Sequence, residues 1–296
     1  MTTVRVGTRG SELAISQSRW VCDLLSRAQP TWRCEVVSIA THGDLSPHQP
    51  MDALFPPDAF VGAIERALLD GRIDLAVHSY KDLPSKPTAG LTIAAVPPRA
   101  APHDVLVTHR AVAIDELPNE FRIGTSSPRR RAQFRRHAPV EIVPIRGNVP
   151  TRLARVRAGD LDGVVLAAAG LARLQLRPRH MIHLPVDRFT PAPAQGALAV
   201  QTRAGDAFTD AVAAINDEPS RLAVDAERAF LGAAAVGCQS PVGALATVDG
   251  ASIELSGQLF SDDGRRVVDG IERGVDPVDI GRRLAVRLCI ALDQTP

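Results

Sequence analysis

The sequence predicts two similar α/β units followed by a small α+β domain. Three observations lead there. Short apolar runs alternate with helical patterns through residues 4–94. The same alternation restarts after the proline-rich stretch "AVPPRAAPHD" at 95–104. From Ser220 the order changes to a helix, three strands and a final helix. A chain of 296 residues is also long enough for two or three domains.

"VRVGT" (4–8) reads as a buried strand, and "SELAISQSRWVCDLLSRA" as a helix with Ser11 at its N-cap. "CEVVSIA" is a second strand, and "DAFVGAIERALLDG" a helix closed by Gly71. "IDLAVHS" is a third strand running into "YKDLP", so the sheet should be largely parallel. Beyond the proline-rich linker, "FRIGTSS" leads into the helix "PRRRAQFRRH", "EIVPIRG" into "NVPTRLARVRAG", and "LDGVVLAAAG" into another helix. "TPAPAQGALAV" (190–200) carries the chain back to the first unit, and "GALATV", "SIELSGQLFS" and "RRVVDGIER" are the strands of the last domain. The boundaries expected are 1–98 plus 197–217 for domain 1, 99–196 for domain 2 and 218–296 for domain 3. Two α/β lobes around a cleft, crossed twice by the chain, resemble solute-binding proteins, whose ligands sit at strand carboxyl ends.

Composition excludes several classes. Formal net charge is +1 and aromatics are few (Phe 8, Trp 2, Tyr 1), which argues against nucleic acid despite "SPRRRAQFRRH". No run is long enough to span a bilayer, and "MTTVRVGTRGSEL" lacks an apolar signal core, so a cytoplasmic location is expected. Cys22, Cys34, Cys238 and Cys289 form no CxxC pair, and no cluster has metal-ligand spacing. The first two and the last fall in helix or strand patterns and read as core thiols. Cys238 differs: in "GAAAVGCQSPVGA" small residues precede it, which would admit a bulky group to the sulfur.

Four polar loops should lie at strand ends: "GTRGS", "HSYKDLP", "GTSSPRR" and "IRGNVPTR". In the third, Thr125, Ser126 and Ser127 precede a helix with Pro128 in its first turn. Free N–H groups, hydroxyls and the helix dipole make an anion site there. Arg129 and Arg130 add forked donors, as do Arg146 and Arg152 in the fourth loop and Arg9 in the first. The alternative at each loop, an ordinary N-cap beside solvated arginines, stays open at this point. Lys81 and Asp82 follow the third strand. Asp82 either pairs with a neighbouring base or does acid/base work. His78 has no partner visible in the sequence and reads as structural.

The motifs "HSYKDLP", "GTSSPRRRAQ", "RGNVPTRL", "AAAGLARL", "PAPAQGAL", "AERAFL" and "GCQSPVGA", in this order, resemble the porphobilinogen deaminase family over nearly the whole chain. The resemblance implies a transferase that joins four porphobilinogens head to tail, releasing ammonia, to give linear hydroxymethylbilane. It implies a dipyrromethane primer bound by thioether to Cys238, with Asp82 catalytic. Lys81, Ser127, Arg129, Arg130 and Arg152 would hold the primer. Arg9, Ser11, Arg146 and Arg173 would hold the incoming ring or growing chain, and Gln195 and Gly196 would act as hinge residues. Each ring carries an acetate and a propionate, so six rings bring twelve carboxylates, a load that arginines answer. A monomer is the family expectation, with no metal, nucleic acid or membrane partner.

The chain departs from the resemblance in two places. Many relatives carry a glycine- and lysine-containing lid, where this chain has the lysine-free "LSPHQPMDALFPPDAFVGAIE", giving an expected lid at 43–60 with weaker anion gating. Many also have an acid where Ala235 stands. The competing reading is a pyrrole-binding paralogue that does not elongate, or a small-molecule binding protein on the same fold.

Overall fold

The computed structural model describes residues 1–41, 61–234 and 241–294. Contacts divide the chain into two compact units, one of residues 1–100 and 196–221, the other of residues 101–195 and 222–296.

The first unit is built on a five-stranded sheet. β1 (Thr2–Arg9) pairs in parallel with β2 (Trp32–Ile39) and β3 (Leu75–Ser79). β10 (Leu198–Arg203) then runs antiparallel between β3 and β4 (Leu91–Ala95), giving the order β2-β1-β3-β10-β4. Val21 and Leu25 of α1 (Glu12–Ala28) pack on Val4, Val6, Leu75 and Val77. A second apolar cluster joins Ile64 and Leu68 of α2 (Gly62–Leu69) to Ile73, Ala76 and Leu91. Helices on both faces explain why these strands read as continuous apolar runs. The Ile73 side chain packs into the space left by the missing side chain of Gly7, where a Cβ would meet its Cδ1. A last short helix, α6 (Phe208–Ala213), packs on β4 and β10.

The second unit holds two sheets. In the larger, β6 (Arg122–Gly124) pairs in parallel with β7 (Glu141–Val143) and β8 (Gly163–Ala167). β5 (Asp104–Thr108) is antiparallel to β8 and to β9 (Met181–His183), so the order is β7-β6-β8-β5-β9. The helices α3 (Pro128–His137), α4 (Val149–Arg157) and α5 (Ala168–Arg173) follow β6, β7 and β8 in turn. The smaller sheet is the antiparallel meander β11 (Val242–Asp249), β12 (Ser252–Phe260) and β13 (Val267–Gly274). Phe230 of α7 (Glu218–Ala234) and Leu284 and Leu288 of α8 (Pro277–Gln294) close its core with Leu255 and Leu259.

The mixed α/β class with a small α+β part is therefore present. The sheets are largely parallel, four of the five strands in each running the same way, with β10 and β5 each entering antiparallel between two neighbours. The stretch at 95–104 connects the two units: β4 ends at its first residue, β5 begins at its last, and residues 96–103 between them form no helix or strand. Both strands have five residues and stand next to prolines, so their sequence signal is short and interrupted. The expected lid at 43–60 lies outside the described residues.

Candidate functional site

Parallel pairing puts the carboxyl ends of β1 and β3 at one end of the first sheet. Arg9 ends β1, and Ser11 caps α1, its hydroxyl accepting from the Ala14 N–H at 3.3 Å. β3 runs into a tight turn, Tyr80–Asp82, that carries Lys81 and Asp82. Arg9, Ser11, Gln17, His78, Ser79 and Asp82 line one pocket. Gln17 holds Ser79, its amide donating to the Ser79 hydroxyl at 2.9 Å. The structure thus brings together three residues singled out from sequence, Arg9, Ser11 and Asp82. Lys81 shares the Asp82 turn and is half-buried.

His78 lies in the same pocket wall, buried, with Nε2 3.1 Å from the Gln201 Oε1. Burial lowers its pKa to about 4, against the smaller opposing pull of Gln201 and the Asp82 charge, so the ring is neutral. Its partner sits 123 residues away and could not be read from the sequence.

In the second unit the loops after β6, β7 and β8 share one end of the sheet, because the three strands run parallel. Ser127 caps α3, accepting from the Arg130 N–H at 3.4 Å, with Pro128 in the first turn. The Ser126 hydroxyl donates to the Ile145 carbonyl at 2.8 Å and accepts from its N–H at 3.0 Å, tying the first loop to the second. Asn148 caps α4 and accepts from the Thr151 N–H at 2.9 Å. Gly147 takes φ +101, a conformation suited to glycine. Arg152 donates from Nε to the Gly147 carbonyl at 2.9 Å, and Arg146 is half-buried beside it in sequence. Arg173 ends α5, and burial lowers its pKa to about 10 while leaving it charged at neutral pH.

Arg129 and Arg130 are placed differently from the open forks that the sequence suggested. Both are buried, and both turn their guanidinium groups onto Asp104 at the start of β5. Arg130 also donates to the Val165 carbonyl at 3.0 Å, and Arg129 to the Thr190 carbonyl at 2.7 Å. Gln195 donates to Asp104 at 2.9 Å and to the Pro102 carbonyl at 2.6 Å. Two cations share one carboxylate, which leaves the cluster one positive charge in excess. Asp104 escaped the sequence reading, although an acid opening the apolar run "DVLVT" was its available signal.

A second residue that sequence reasoning missed is Glu227 on α7. It is fully buried, accepting from the Ala194 N–H at 2.6 Å and the Ala246 N–H at 2.8 Å. It sits inside "AERAFL", where a buried acid in an apolar helical face was the clue. Cys238 lies outside the described residues, between the end of α7 and the start of β11, and so does Ala235. Among the described residues no group of three or more His, Cys, Asp or Glu could hold a metal ion, and no helix is long and apolar enough to cross a membrane.

Mixed α/β sheets, arginines and serine caps at strand ends and an acid in a pocket are the parts of an enzyme that handles a small carboxylated molecule. The chain belongs to the porphobilinogen deaminase family, enzymes of tetrapyrrole biosynthesis. The model for "Porphobilinogen deaminase, dipyromethane cofactor binding domain" matches residues 4–211, and that for "Porphobilinogen deaminase, C-terminal domain" matches 221–289. A porphobilinogen deaminase of Moorella thermoacetica is 44% identical over 292 residues, covering 97% of this chain and 93% of that one. Porphobilinogen deaminase 1 of Streptomyces coelicolor is 45% identical over 277 residues, covering 90% and 86%. Among solved structures, an ancestral cationic amino acid solute binding protein aligns with a TM-score of 0.44 at 14% identity, covering 71% of this chain and 86% of that one.

Proposed function

We propose that this chain condenses four porphobilinogen molecules head to tail into linear hydroxymethylbilane, on a dipyrromethane primer held by Cys238. The observation that supports the reading most is the meeting of Arg9, Ser11 and Asp82 in one pocket. Porphobilinogen carries two carboxylates, a pyrrole N–H and a protonated amine. A pocket for it needs cationic donors and an acid together, and this one has both.

The donor set fits a carboxylate-bearing primer. Ser127 stands at a helix N-terminus, and the Arg129–Arg130–Asp104 cluster keeps a positive charge in excess. In this reading Lys81, Ser127, Arg129, Arg130 and Arg152 hold the primer, while Arg9, Ser11, Arg146 and Arg173 hold the incoming ring or growing chain. When bound, the primer supplies a nucleophilic ring carbon. The residues of the chain do the rest. Arg9 and Ser11 fix the substrate carboxylates and so orient its aminomethyl carbon. The Asp82 carboxylate accepts from the pyrrole N–H and stabilises the positive charge that builds there as the C–N bond breaks and ammonia leaves with the electron pair. The same carboxylate is the pocket's base for the proton that the coupled ring must lose. Gln195 and Gly196 serve as hinge residues, residues 218–296 form a domain of their own, and the chain works as a cytoplasmic monomer.

Intact mass of the purified protein, beside Cys238→Ala, tests this reading. The expected result is an excess equal to two porphobilinogens less two ammonias, absent from the variant. Asp82→Asn should keep that mass and lose bilane formation. An unmodified mass that stays unmodified after incubation with porphobilinogen would leave only a binding protein on this fold.

A further inference from the structure

His78 belongs to a buried hydrogen-bond chain whose direction is set at its far end. The Thr88 hydroxyl donates to the Glu65 Oε2 at 2.8 Å, and the Gln201 Nε2 donates to the Glu65 Oε1 at 3.0 Å. A carboxylate only accepts, so the Gln201 amide must turn its nitrogen to Glu65 and its oxygen to His78. The His78 Nε2 is then the donor across the 3.1 Å contact, and the proton of the neutral ring is on Nε2. Nδ1 is left with its lone pair. Glu65, His78 and Gln201 are each at most 5% exposed, so water cannot easily reverse the chain.

His78 is also among the residues that line the pocket holding Arg9, Ser11 and Asp82. Asp82 offers the pocket an anionic acceptor, and the Nδ1 of His78 would add a neutral one. Porphobilinogen has two kinds of donor to place, its pyrrole N–H and its aminomethyl N–H groups. We propose that the Nδ1 of His78 accepts a hydrogen bond from the aminomethyl group of the substrate, making His78 a specificity-determining residue, with Gln201 and Glu65 as positioning residues that hold its tautomer. This rests on the porphobilinogen reading above.

The chemistry favours an acceptor of this kind. Carbon–nitrogen cleavage sends the bonding pair to nitrogen, and nitrogen departs as neutral ammonia only if it entered as ammonium. An alkylammonium has a pKa of about 10. The imidazole, held near 4 by burial, is far too weak a base to take its proton. His78 can thus orient the leaving group without deprotonating it. A charged carboxylate in its place would bind the ammonium more tightly in the ground state than in the transition state, where that charge moves to the pyrrole.

The test uses the full-length protein labelled with ¹⁵N-histidine, with porphobilinogen as the probe. Nitrogen chemical shifts should show the Nε2–H tautomer for His78, and porphobilinogen should move Nδ1 far more than Nε2. Glu65→Gln frees the Gln201 amide to turn and should give a mixture of tautomers. His78→Gln keeps a donor towards Gln201 but has no acceptor at Nδ1, so kcat/KM should fall about 10- to 100-fold. His78→Asn places an oxygen near Nδ1 and should restore most of that loss, which a purely structural role would not predict. A proton on Nδ1 in the wild type, or a His78→Gln variant with unchanged kcat/KM, would overturn the proposal alone. A wild-type chain that releases no ammonia would overturn the substrate reading and this proposal with it.

Discussion

Arg130 and Asp104 meet fork to fork inside the second unit, with the guanidinium Nη2 donating to Oδ1 at 2.6 Å and Nε to Oδ2 at 3.1 Å. Arg129 takes Oδ2 at 2.8 Å, and Gln195 takes Oδ1 at 2.9 Å. One carboxylate thus joins β5, the first turn of α3 and the segment before Gly196. Burial by itself would push the Asp104 carboxyl up, but the charges of Arg130 and Arg129 outweigh it and hold the group well below the ordinary carboxylate range.

Asp104→Asn should therefore destabilise the second unit by about 3–5 kcal/mol, because it strands two buried guanidinium groups without a counter-charge. The pH dependence follows from the same shift. A lowered folded pKa contributes stability that is complete above the unfolded value of about 3.9 and drains away as pH falls below it. Urea unfolding at pH 7 and at pH 3 should show the gap between wild type and variant narrowing in acid.

Glu227 predicts a second loss. Glu227→Ala leaves the N–H groups of Ala194 and Ala246 without this acceptor, at about 1–3 kcal/mol for each buried donor. Glu227→Gln keeps one accepting oxygen and should cost less. Denaturant midpoints of the two variants check the order. Ala194 holds φ at +60, so loosening its anchor should also raise amide exchange around 192–196.

Gly281 predicts an overpacking penalty. On α8 it faces α7 so closely that a Cβ would lie 2.6 Å from the Ala226 carbonyl oxygen and 2.7 Å from the Phe230 nitrogen. Backbone atoms cannot step aside as a flexible side chain can. Gly281→Ala should lower stability by about 1–3 kcal/mol despite the better helix propensity of alanine, measurable as a drop in Tm.

His78 predicts a slope in mild acid. Its pKa is lowered by burial from 6.5 to about 4, so the unfolded chain binds more protons between those values. Stability should be fullest above about 6.5 and fall as pH drops through this window, by up to about 3 kcal/mol from this group. His78→Asn should flatten that part of the curve, as urea midpoints between pH 4 and 7 would show.

Much of the local structure was legible. Ser11 and Ser127 cap the helices they precede, Pro128 stands in a first turn, and Gly71 follows α2 at φ +69, each because the requirement is met within a few residues. The loops carrying Arg9, Asp82, Ser127 and Arg152 were legible as strand ends for the same reason. β4, β5 and β9 were not, since three- and five-residue strands among prolines and polar turns carry little periodicity. Nor was the sense of β5 and β10, which depends on strands far along the chain.

The sequence by itself determined the alternation of elements, their caps, the polar character of the strand-end loops and the family. Those properties reside in residue type and short spacing. Only the tertiary structure decided which side chain faces which. It turned Arg129 and Arg130 onto Asp104, 25 and 26 residues upstream, gave His78 a partner 123 residues away, and set Glu227 under two distant backbone N–H groups. A buried charge or ring must find its counterpart through space, and that choice is made when the elements pack.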